Sequence, residues 1–191
     1  MKKNMGPELG ICPTPVVVVG TYDENDKPNL ATLAWVGVCC SEPPSVQVAI
    51  RKSRHSYASI LARKAFSVNV PSVKYVVETD YAGIASGKHE NKFDVTKLTP
   101  VRGGMTDAPM VMEFPISMEC RLTHTLLLGS HDIFIGEILA CWVDEAVLDG
   151  NGKPDPKKVD PLAFSISGGY FGLGNFIAAS HNVGKKMLNN N

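Results

Sequence analysis

Short segments in which apolar and polar residues alternate with a period of two place the strongest constraint on the fold of this chain. Residues 45–51 (SVQVAIR) and 116–122 (ISMECRL) both follow that pattern. Such alternation is typical of strands that bury one face and expose the other. Turn-forming stretches, DENDKP at 23–28 and SEPP at 41–44, separate the first strand segments from one another. The sequence therefore predicts a mainly β, antiparallel protein.

The order of the predicted elements favours a barrel over a sheet built from βαβ units. Six or seven strands are predicted, at 15–22, 29–40, 45–51, 65–70, 116–122, 131–144 and 162–166. Helices are predicted after Ser53, with Ser53 or Ser56 as the cap, and more weakly over 73–81. Residues 86–109 are predicted to form a long loop, and 175–187 a short helix or tail. Few helices among many strands favour a closed or partly closed antiparallel barrel with peripheral helices, in a single domain over 1–191.

Composition excludes several functional classes. The chain has 191 residues, 19 basic and 19 acidic, and 44% of them are apolar. A neutral chain does not fit a protein that coats nucleic acid or an anionic membrane. No apolar run approaches the roughly 20 residues of a membrane helix. Lys2 and Lys3 are not followed by the apolar stretch of a secretory signal. We therefore expect a cytoplasmic protein with neither nucleic acid nor membrane as partner.

The cysteines, histidines and glycines fit no metal or dinucleotide motif. The five cysteines show no C-x-x-C spacing and do not cluster with the histidines, so a zinc site is not predicted. Cys39 and Cys40 are adjacent, but thiols in an apolar strand are usually small core residues, and a core position is expected for them. Reduced thiols agree with a cytoplasmic location. The glycines of GGYFGLG (168–174) lack both the spacing and the βαβ context of a Rossmann site.

One segment departs from the overall charge balance. No acidic residue occurs between Glu42 and Glu78, although six arginines and lysines lie in that interval. At its centre, the sequence RKSRHS (51–56) marks the end of a strand and the start of a helix. Unpaired N–H groups at a helix N-terminus favour an anion, and an arginine side chain can add a bidentate contact to a phosphate. Two interpretations stay open from these residues alone, a phosphate site or an ordinary serine cap beside surface arginines.

Taken together, five stretches resemble the flavin reductase-like family, whose members have an FMN-binding split β-barrel of Greek-key type. The stretches are TPVVVVGTYDENDKPNLATLAWVGVCCSEPPSVQVAIRKSRHSYASI (14–60), FSVNVPS (66–72), SGKHENKF (86–93), GSHDIFIGEI (129–138) and, more weakly, GGYFGLG (168–174). Within this family, Trp35 and the chain length are most similar to the flavoredoxins. The order and separation of these stretches make the resemblance more specific than any single motif.

The resemblance implies a set of cofactor-binding residues. Four would line the flavin ring, four would hold the FMN phosphate, Lys92 would reach the phosphate or the ribityl chain, and Tyr170 would close over the site. The ring-lining residues are Thr32, Leu33, Ala34 and Trp35, and the phosphate-binding residues are Arg51, Ser53, Arg54 and Ser56. His131 would lie near the reactive face of the flavin, where a nicotinamide or another donor approaches, and is the candidate catalytic residue. The family often has an aspartate where Ser130 stands, which removes a carboxylate from the side where the nicotinamide would bind.

Three of these residues also have a purely structural interpretation. Trp35 would fill the core, His131 would lie on the surface, and Lys92 would pair with Glu90 or Asp94 in solvent. The resemblance further implies a homodimer and leaves two functions open. One is an NAD(P)H:flavin reductase that passes reducing equivalents through FMN. The other is an electron carrier with tightly bound FMN, reduced by a protein donor such as a ferredoxin.

Overall fold

The computed structural model of the protein describes residues 1–190 and contains twelve strands and four α-helices. The strands are β1 (Thr14–Pro15), β2 (Val17–Tyr22), β3 (Pro28–Leu33), β4 (Val36–Ser41), β5 (Pro44–Ile50), β6 (Ala65–Val70), β7 (Pro100–Arg102), β8 (Pro109–Val111), β9 (Ile116–Leu126), β10 (Asp132–Val143), β11 (Ala163–Ser165) and β12 (Gly169–Phe171). The helices are α1 (His55–Arg63), α2 (Val76–Ile84), α3 (Lys92–Thr96) and α4 (Pro156–Val159), with 3₁₀ turns at Val73–Tyr75, Glu145–Val147 and Val183–Asn190.

A seven-stranded antiparallel sheet in the order β3-β2-β6-β9-β10-β5-β4 forms the body of the fold. Its outer strands, β3 and β4, are not hydrogen-bonded to each other, so the sheet stays open, as in a split barrel. The predicted mainly β fold is confirmed. Small sheets of three strands (β1-β11-β12) and two strands (β7-β8) lie beside it. No helix in residues 1–190 is long and apolar enough to cross a membrane.

The main core lies between the curved sheet and α1. Apolar side chains from the inward positions of β2, β5, β6, β9 and β10 pack together there, with Phe66, Phe134 and Ile60 of α1 fully buried. Burial of large apolar side chains supplies the main driving force for such packing. The core fixes α1 against the sheet, and the Tyr57 hydroxyl donates to Asp132 Oδ2 at 2.7 Å. The first turn of α1 is therefore anchored to the start of β10.

The predicted strand over 29–40 is wrong at its centre. The chain bends at Ala34 and Trp35, which separate β3 from β4, while the Trp35 carbonyl still accepts a hydrogen bond from the Ala49 N–H at 2.9 Å. The bend turns the Trp35 ring out of the sheet and against His131, with ring centroids 4.2 Å apart. The bend between β3 and β4 therefore accompanies a contact with His131, which is distant in sequence, and local strand propensity does not predict it.

Four further expectations differ from the structure. The predicted cap at Ser53 or Ser56 is wrong, because Arg54 is the N-cap of α1 and makes no side-chain capping bond. Ser56 lies inside the helix, and its hydroxyl oxygen accepts from Asn29. Cys39 and Cys40 are exposed rather than in the core, because β4 is an outer strand with a bulge between Val38 and Cys40. The predicted loop over 86–109 contains α3 and β7, and the 3₁₀ turn near the C-terminus begins only at Val183.

Candidate functional site

Two adjoining clefts lie where the C-terminal end of β3 meets the turn between β5 and α1. One, of about 200 Å³, is also lined by α2 and by residues 85–87 and 92. The other, of about 220 Å³, extends over the β3–β4 bend towards β10. Both are lined by Thr32, Leu33, Arg51 and Arg54, so the two clefts form one continuous site. We call the first the polar cleft and the second the aromatic cleft.

All of the predicted site residues except Tyr170 line this site. The polar cleft contains Thr32, Leu33, Arg51, Ser53, Arg54, Ser56 and Lys92, and the aromatic cleft adds Ala34, Trp35 and His131. The hydroxyl of Thr32 donates to the Thr79 carbonyl at 2.5 Å, which ties β3 to α2. Residues that are far apart in sequence are thus brought together by the bend after β3 and by the start of α1.

The N-terminus of α1 forms one wall of the polar cleft. The backbone N–H groups of His55 and Ser56 make no hydrogen bond within residues 1–190. Unpaired N–H groups at this end of a helix carry partial positive charge and attract an anion. Arg51 and Arg54 extend from the same turn, and the Ser56 side chain is buried with its Oγ accepting from Asn29 Nδ2 at 2.8 Å. Cationic groups and N–H donors converge here.

Lys92 is buried in the opposite wall of the polar cleft, with 4% of its surface exposed. Its Nζ donates to the carbonyls of Leu30 at 2.6 Å and Ala82 at 2.7 Å. No carboxylate lies within 4 Å of this ammonium group among the described residues, so the solvent-exposed pair with Glu90 or Asp94 is not formed. Burial, and then the positive charge of Arg54, lower the pKa of Lys92 to about 8. An ammonium group has three N–H donors, and here protein carbonyls take two of them.

The aromatic cleft is built around two aromatic rings in tilted contact. The Trp35 and His131 rings are tilted by 55° with their centroids 4.2 Å apart, and Trp35 remains 36% exposed, so it does not fill the core. Arg51 Nε donates to His131 Nε2 at 3.3 Å and thereby joins the aromatic cleft to the polar one. Beyond Trp35 lies a more apolar cleft of about 530 Å³ that shares Ala34, Trp35 and Ala49 with the aromatic cleft.

The hydrogen bonds of His131 define its tautomer. Because Nε2 accepts from Arg51, a neutral ring carries its proton on Nδ1, which lies 2.9 Å from Ser130 Oγ and donates to it. Burial, and then the charge of Arg51, lower the pKa of His131 below its usual value, so the neutral ring is favoured at pH 7. Ser130, a neutral partner, does not counter this effect as a carboxylate would.

Tyr170 lies behind the site rather than in it. Its ring packs against Phe164, a lining residue of the aromatic cleft, with centroids 5.7 Å apart. Its hydroxyl donates to Asp80 Oδ1 at 2.8 Å, and burial together with this bond raises the pKa of Tyr170 to about 12. Tyr170 thus supports Phe164 and joins β12 to α2, and the structure does not place it over either cleft.

Four lining residues of the site were not singled out from the sequence. Asn29, Gly83 and Gly87 line the polar cleft, and Phe164 lines the aromatic cleft. Asn29 stands between Pro28 and Leu30 at the start of a predicted strand. A buried amide is unexpected there, because the inward-facing positions of such strands are usually apolar. That local mismatch was the one available indication of its role.

The donor set of the polar cleft fits a phosphate. Two arginines, a buried ammonium group with a spare N–H, and two free N–H groups of a helix converge without a compensating carboxylate among the lining residues. Charge-assisted bonds of this kind hold phosphates. The adjoining aromatic cleft offers a tryptophan face and a histidine ring, as a planar heterocycle requires. A phosphate-bearing aromatic group such as FMN therefore matches the two clefts.

Comparison with known proteins agrees with these features. The model of the flavin reductase like domain matches residues 9–170. Flavoredoxin of Desulfovibrio vulgaris (Miyazaki F) is 45% identical, with a TM-score of 0.91 over 96% of this chain and 100% of that one. Flavoredoxin from Methanosarcina acetivorans is 33% identical, with a TM-score of 0.92 over 98% of this chain and 99% of that one.

A third similarity is to the NADPH-flavin oxidoreductase of Streptomyces viridifaciens, which is 28% identical over 74% of this chain and 68% of its own. The family match includes every residue that lines the two clefts, from Asn29 to Phe164. This chain therefore belongs to the flavin reductase-like family and has its split-barrel fold.

Proposed function

We propose that the protein binds FMN and acts as an oxidoreductase of the NAD(P)H:flavin reductase type. The observation that carries the proposal is the buried Lys92, which has one N–H not taken by protein carbonyls. Lys92 lines the same cleft as the start of α1, and that cleft shares lining residues with the one that contains Trp35 and His131. When bound, FMN supplies the redox chemistry, because its ring accepts two electrons from a donor and passes them to an acceptor.

The chain's own residues divide the work between the two clefts. The phosphate is bound and oriented by Arg51, Arg54, Ser56 and Lys92. These contacts contribute affinity and fix the position of the flavin ring in the aromatic cleft. Leu33 and Trp35 exclude water from one side of the ring. Burial and then the charge of Arg51 lower the pKa of His131 and keep its ring neutral, which leaves the donor side without a second positive charge. The apolar cleft beyond Trp35 gives a donor or acceptor a route to the ring edge.

An electron-carrier function is the second candidate, and two observations favour it. The similarity to two flavoredoxins extends over nearly the whole chain. Ser130 supplies no carboxylate beside His131, so the donor side lacks a charged anchor for a nicotinamide ribose or amide. In this function FMN remains bound and a protein donor such as a ferredoxin reduces it.

We also infer that residues 1–191 form a single domain and that two copies of the chain form a homodimer. Large apolar side chains are exposed on the C-terminal segment, at Leu173, Phe176 and Ile177, and on the outer strand β4 at Val38. Apolar surface of this extent favours contact with a second copy. Light scattering of the purified protein measures the mass directly, and cell fractionation tests the predicted cytoplasmic location.

One experiment separates the two functions. The protein is loaded with FMN, and loss of flavin absorbance is followed without oxygen after adding NADH, NADPH or reduced ferredoxin separately. Rapid bleaching by either pyridine nucleotide supports the reductase and contradicts the carrier. Bleaching by ferredoxin alone supports the carrier and contradicts the reductase. A protein that takes up no FMN contradicts both functions.

A further inference from the structure

We propose that Asp132 is the positioning residue for His131. In this proposal, the buried carboxylate fastens the turn between β9 and β10 to α1 and to the turn that precedes α1, and the neighbouring imidazole is thereby held in the aromatic cleft against Trp35. Asp132 lines neither cleft, so it acts through His131. The inference rests on the proposed function, because that function gives the position of His131 its meaning.

Three parts of the chain meet at the carboxylate of Asp132, which is fully buried at the start of β10. Oδ1 accepts from the Leu128 N–H at 2.9 Å, and Oδ2 accepts from the Tyr57 hydroxyl at 2.7 Å. Lys52 Nζ lies 3.5 Å from Oδ2. The Tyr57 hydrogen bond, and then the Leu128 N–H and the charge of Lys52, lower the pKa of Asp132, so the carboxylate is ionised at pH 7. A buried charge with partners at both oxygens makes a rigid junction.

The turn between β9 and β10 depends on this junction. Residues 126–130 are all exposed, and a Cβ at Gly129 would meet nothing within 4 Å, so packing does not hold the turn. Among the described residues, the Leu128 N–H bond to Asp132 is the one hydrogen bond that ties 127–130 to a strand or helix, since the Ser130 hydroxyl contacts only the adjacent His131. An exposed turn with so few contacts moves readily once its anchor is lost.

The position of His131 follows from that of Asp132. Successive side chains of an extended chain point to opposite sides. Because Asp132 points into the protein, His131 points outward into the aromatic cleft, where its ring centroid lies 4.2 Å from that of Trp35. Its polar contacts, with Arg51 at 3.3 Å and Ser130 at 2.9 Å, involve exposed side chains. The buried anchor of this segment is therefore Asp132.

The pKa of His131 in the apoprotein reports the position of its ring. In the wild type, burial and then the charge of Arg51 lower this pKa. A ring released from the cleft becomes solvated and lies farther from Arg51, so its pKa rises. Loss of the Asp132 charge without movement has the opposite sign, because removing a nearby carboxylate lowers the pKa of an imidazole. Proton–carbon NMR of the histidine rings over a pH series measures the pKa, and the His131 signal is assigned by its absence in His131→Gln.

Two variants weaken the junction in different ways. Asp132→Asn removes the charge, whereas Tyr57→Phe removes one donor, changes no charge and keeps the ring that packs edge-on against Phe134. We expect the His131 pKa to rise in both, more in Asp132→Asn, and to rise no further in the double variant than in Asp132→Asn. Glu137→Gln, which removes a carboxylate farther along β10, is the matched control and should leave the pKa unchanged.

The same variants, saturated with FMN, test what the position of His131 is for. With the donor that reduces the wild-type protein, flavin bleaching should slow in both variants. In Asp132→Asn we expect a loss of about tenfold to a hundredfold, the scale of a small displacement of a catalytic group. The Glu137→Gln control should bleach at the wild-type rate.

The outcomes separate this proposal from a purely structural role. A His131 pKa that is unchanged or lowered in Asp132→Asn overturns the proposal, even where thermal stability falls. If Asp132→Asn does not fold, an unchanged pKa in Tyr57→Phe overturns it instead. A raised pKa with wild-type bleaching overturns the link to the reaction. Wild-type protein that takes up no FMN refutes the proposed function itself, an outcome distinct from the pKa measured on the apoprotein.

Discussion

Three charged side chains are buried among residues 1–190, Lys92, Glu119 and Asp132, and the first two differ in how completely the protein satisfies their hydrogen bonds. Glu119 of β9 is fully buried and accepts hydrogen bonds from Trp142 Nε1 and from the Met105 and Thr106 N–H groups, each at 2.8 Å. Lys92 is nearly as buried, yet protein carbonyls satisfy only two of its three N–H groups.

The two pKa shifts show what this difference means. Burial alone would raise the pKa of Glu119, but hydrogen bonds from Trp142 and the 104–106 backbone outweigh it, so the pKa is lowered and the charge is favoured. For Lys92 burial dominates, and the pKa falls to about 8. A completely satisfied buried charge organises its own surroundings, whereas an incompletely satisfied one requires an outside partner. We conclude that Glu119 stabilises the fold and that Lys92 serves binding.

Removing the carboxylate of Glu119, whose hydrogen bonds are completely satisfied, should have the largest effect on the free energy of unfolding. Glu119→Ala leaves the turn at 103–106 and the Trp142 indole without an acceptor. We expect the free energy of unfolding to fall by about 3 kcal/mol, the scale of several buried donors left unpaired. Urea denaturation measures the loss. Glu137→Ala breaks only a partly exposed pair with Arg121 and should cost less than about 1 kcal/mol. Equal losses for the two variants would refute the role assigned to Glu119.

Lys92→Met should affect FMN binding more than the stability of the fold, the opposite of the effect expected for Glu119→Ala. Without the ammonium group, FMN binding weakens by about 2–3 kcal/mol, the scale of a hydrogen bond to a charged group. The stability of the apoprotein changes less, because removing a buried charge offsets the loss of the donor to the Leu30 and Ala82 carbonyls. Calorimetric titration with FMN and thermal melting of the apoprotein measure the two effects. The exposed Lys88→Met is the matched control and should change neither. Loss of stability without loss of affinity would assign Lys92 to the fold.

Arg54→Ala should weaken FMN binding by about 1–3 kcal/mol, since one arginine of several cationic groups is lost. It should also raise the pKa of Lys92, because the charge of Arg54 is the second cause that lowers it. Fluorescence titration gives the affinity. An unchanged affinity would place Arg54 on the surface, as the alternative interpretation of its sequence motif holds.

The pH dependence gives a smaller effect with a defined sign. The Lys92 pKa is 10.5 in an unfolded chain and about 8 in the folded apoprotein. Between these values the unfolded chain holds a proton that the folded chain has released, so this group makes the apoprotein more stable as pH rises. FMN affinity should instead fall above pH 8, by at most about tenfold per unit, because the neutral amine no longer attracts the anion. In Lys92→Met both dependences should be absent between pH 7.5 and 9.

Sequence reasoning predicted the parts of the fold that depend on local pattern. Strands β5 and β9 form where the alternation at 45–51 and 116–122 predicts them, and the RKSRHS stretch does begin a helix at the cleft. In β9, however, the polar residues Ser117 and Glu119 are buried, which the alternation does not predict. Sequence reasoning failed where distant residues meet. The bend at Ala34–Trp35 accompanies a tilted contact between the Trp35 and His131 rings, and the apolar run at 33–36 contains no turn residue.

In the site, too, the features set by neighbouring residues were predicted and those set by distant residues were not. Its phosphate-binding residues were predicted because strand, turn and helix are consecutive in sequence. Burial of Lys92 was not, since Glu90 and Asp94 flank it and suggest a solvated segment. The five-residue α3, capped by Asn91, turns Lys92 inward. Asn29 and Glu119 were missed because the partners that define their roles are more than ten residues away in sequence.

The most direct test is the pKa of Lys92 itself, measured by NMR of the selectively labelled side chain in the apoprotein and with FMN bound. We predict a value near 8 in the apoprotein and a clear rise when FMN binds, because the phosphate supplies the missing partner. A pKa near 10.5 in the apoprotein, or one that does not change when FMN binds, would contradict the assignment of Lys92 and the polar cleft to the phosphate.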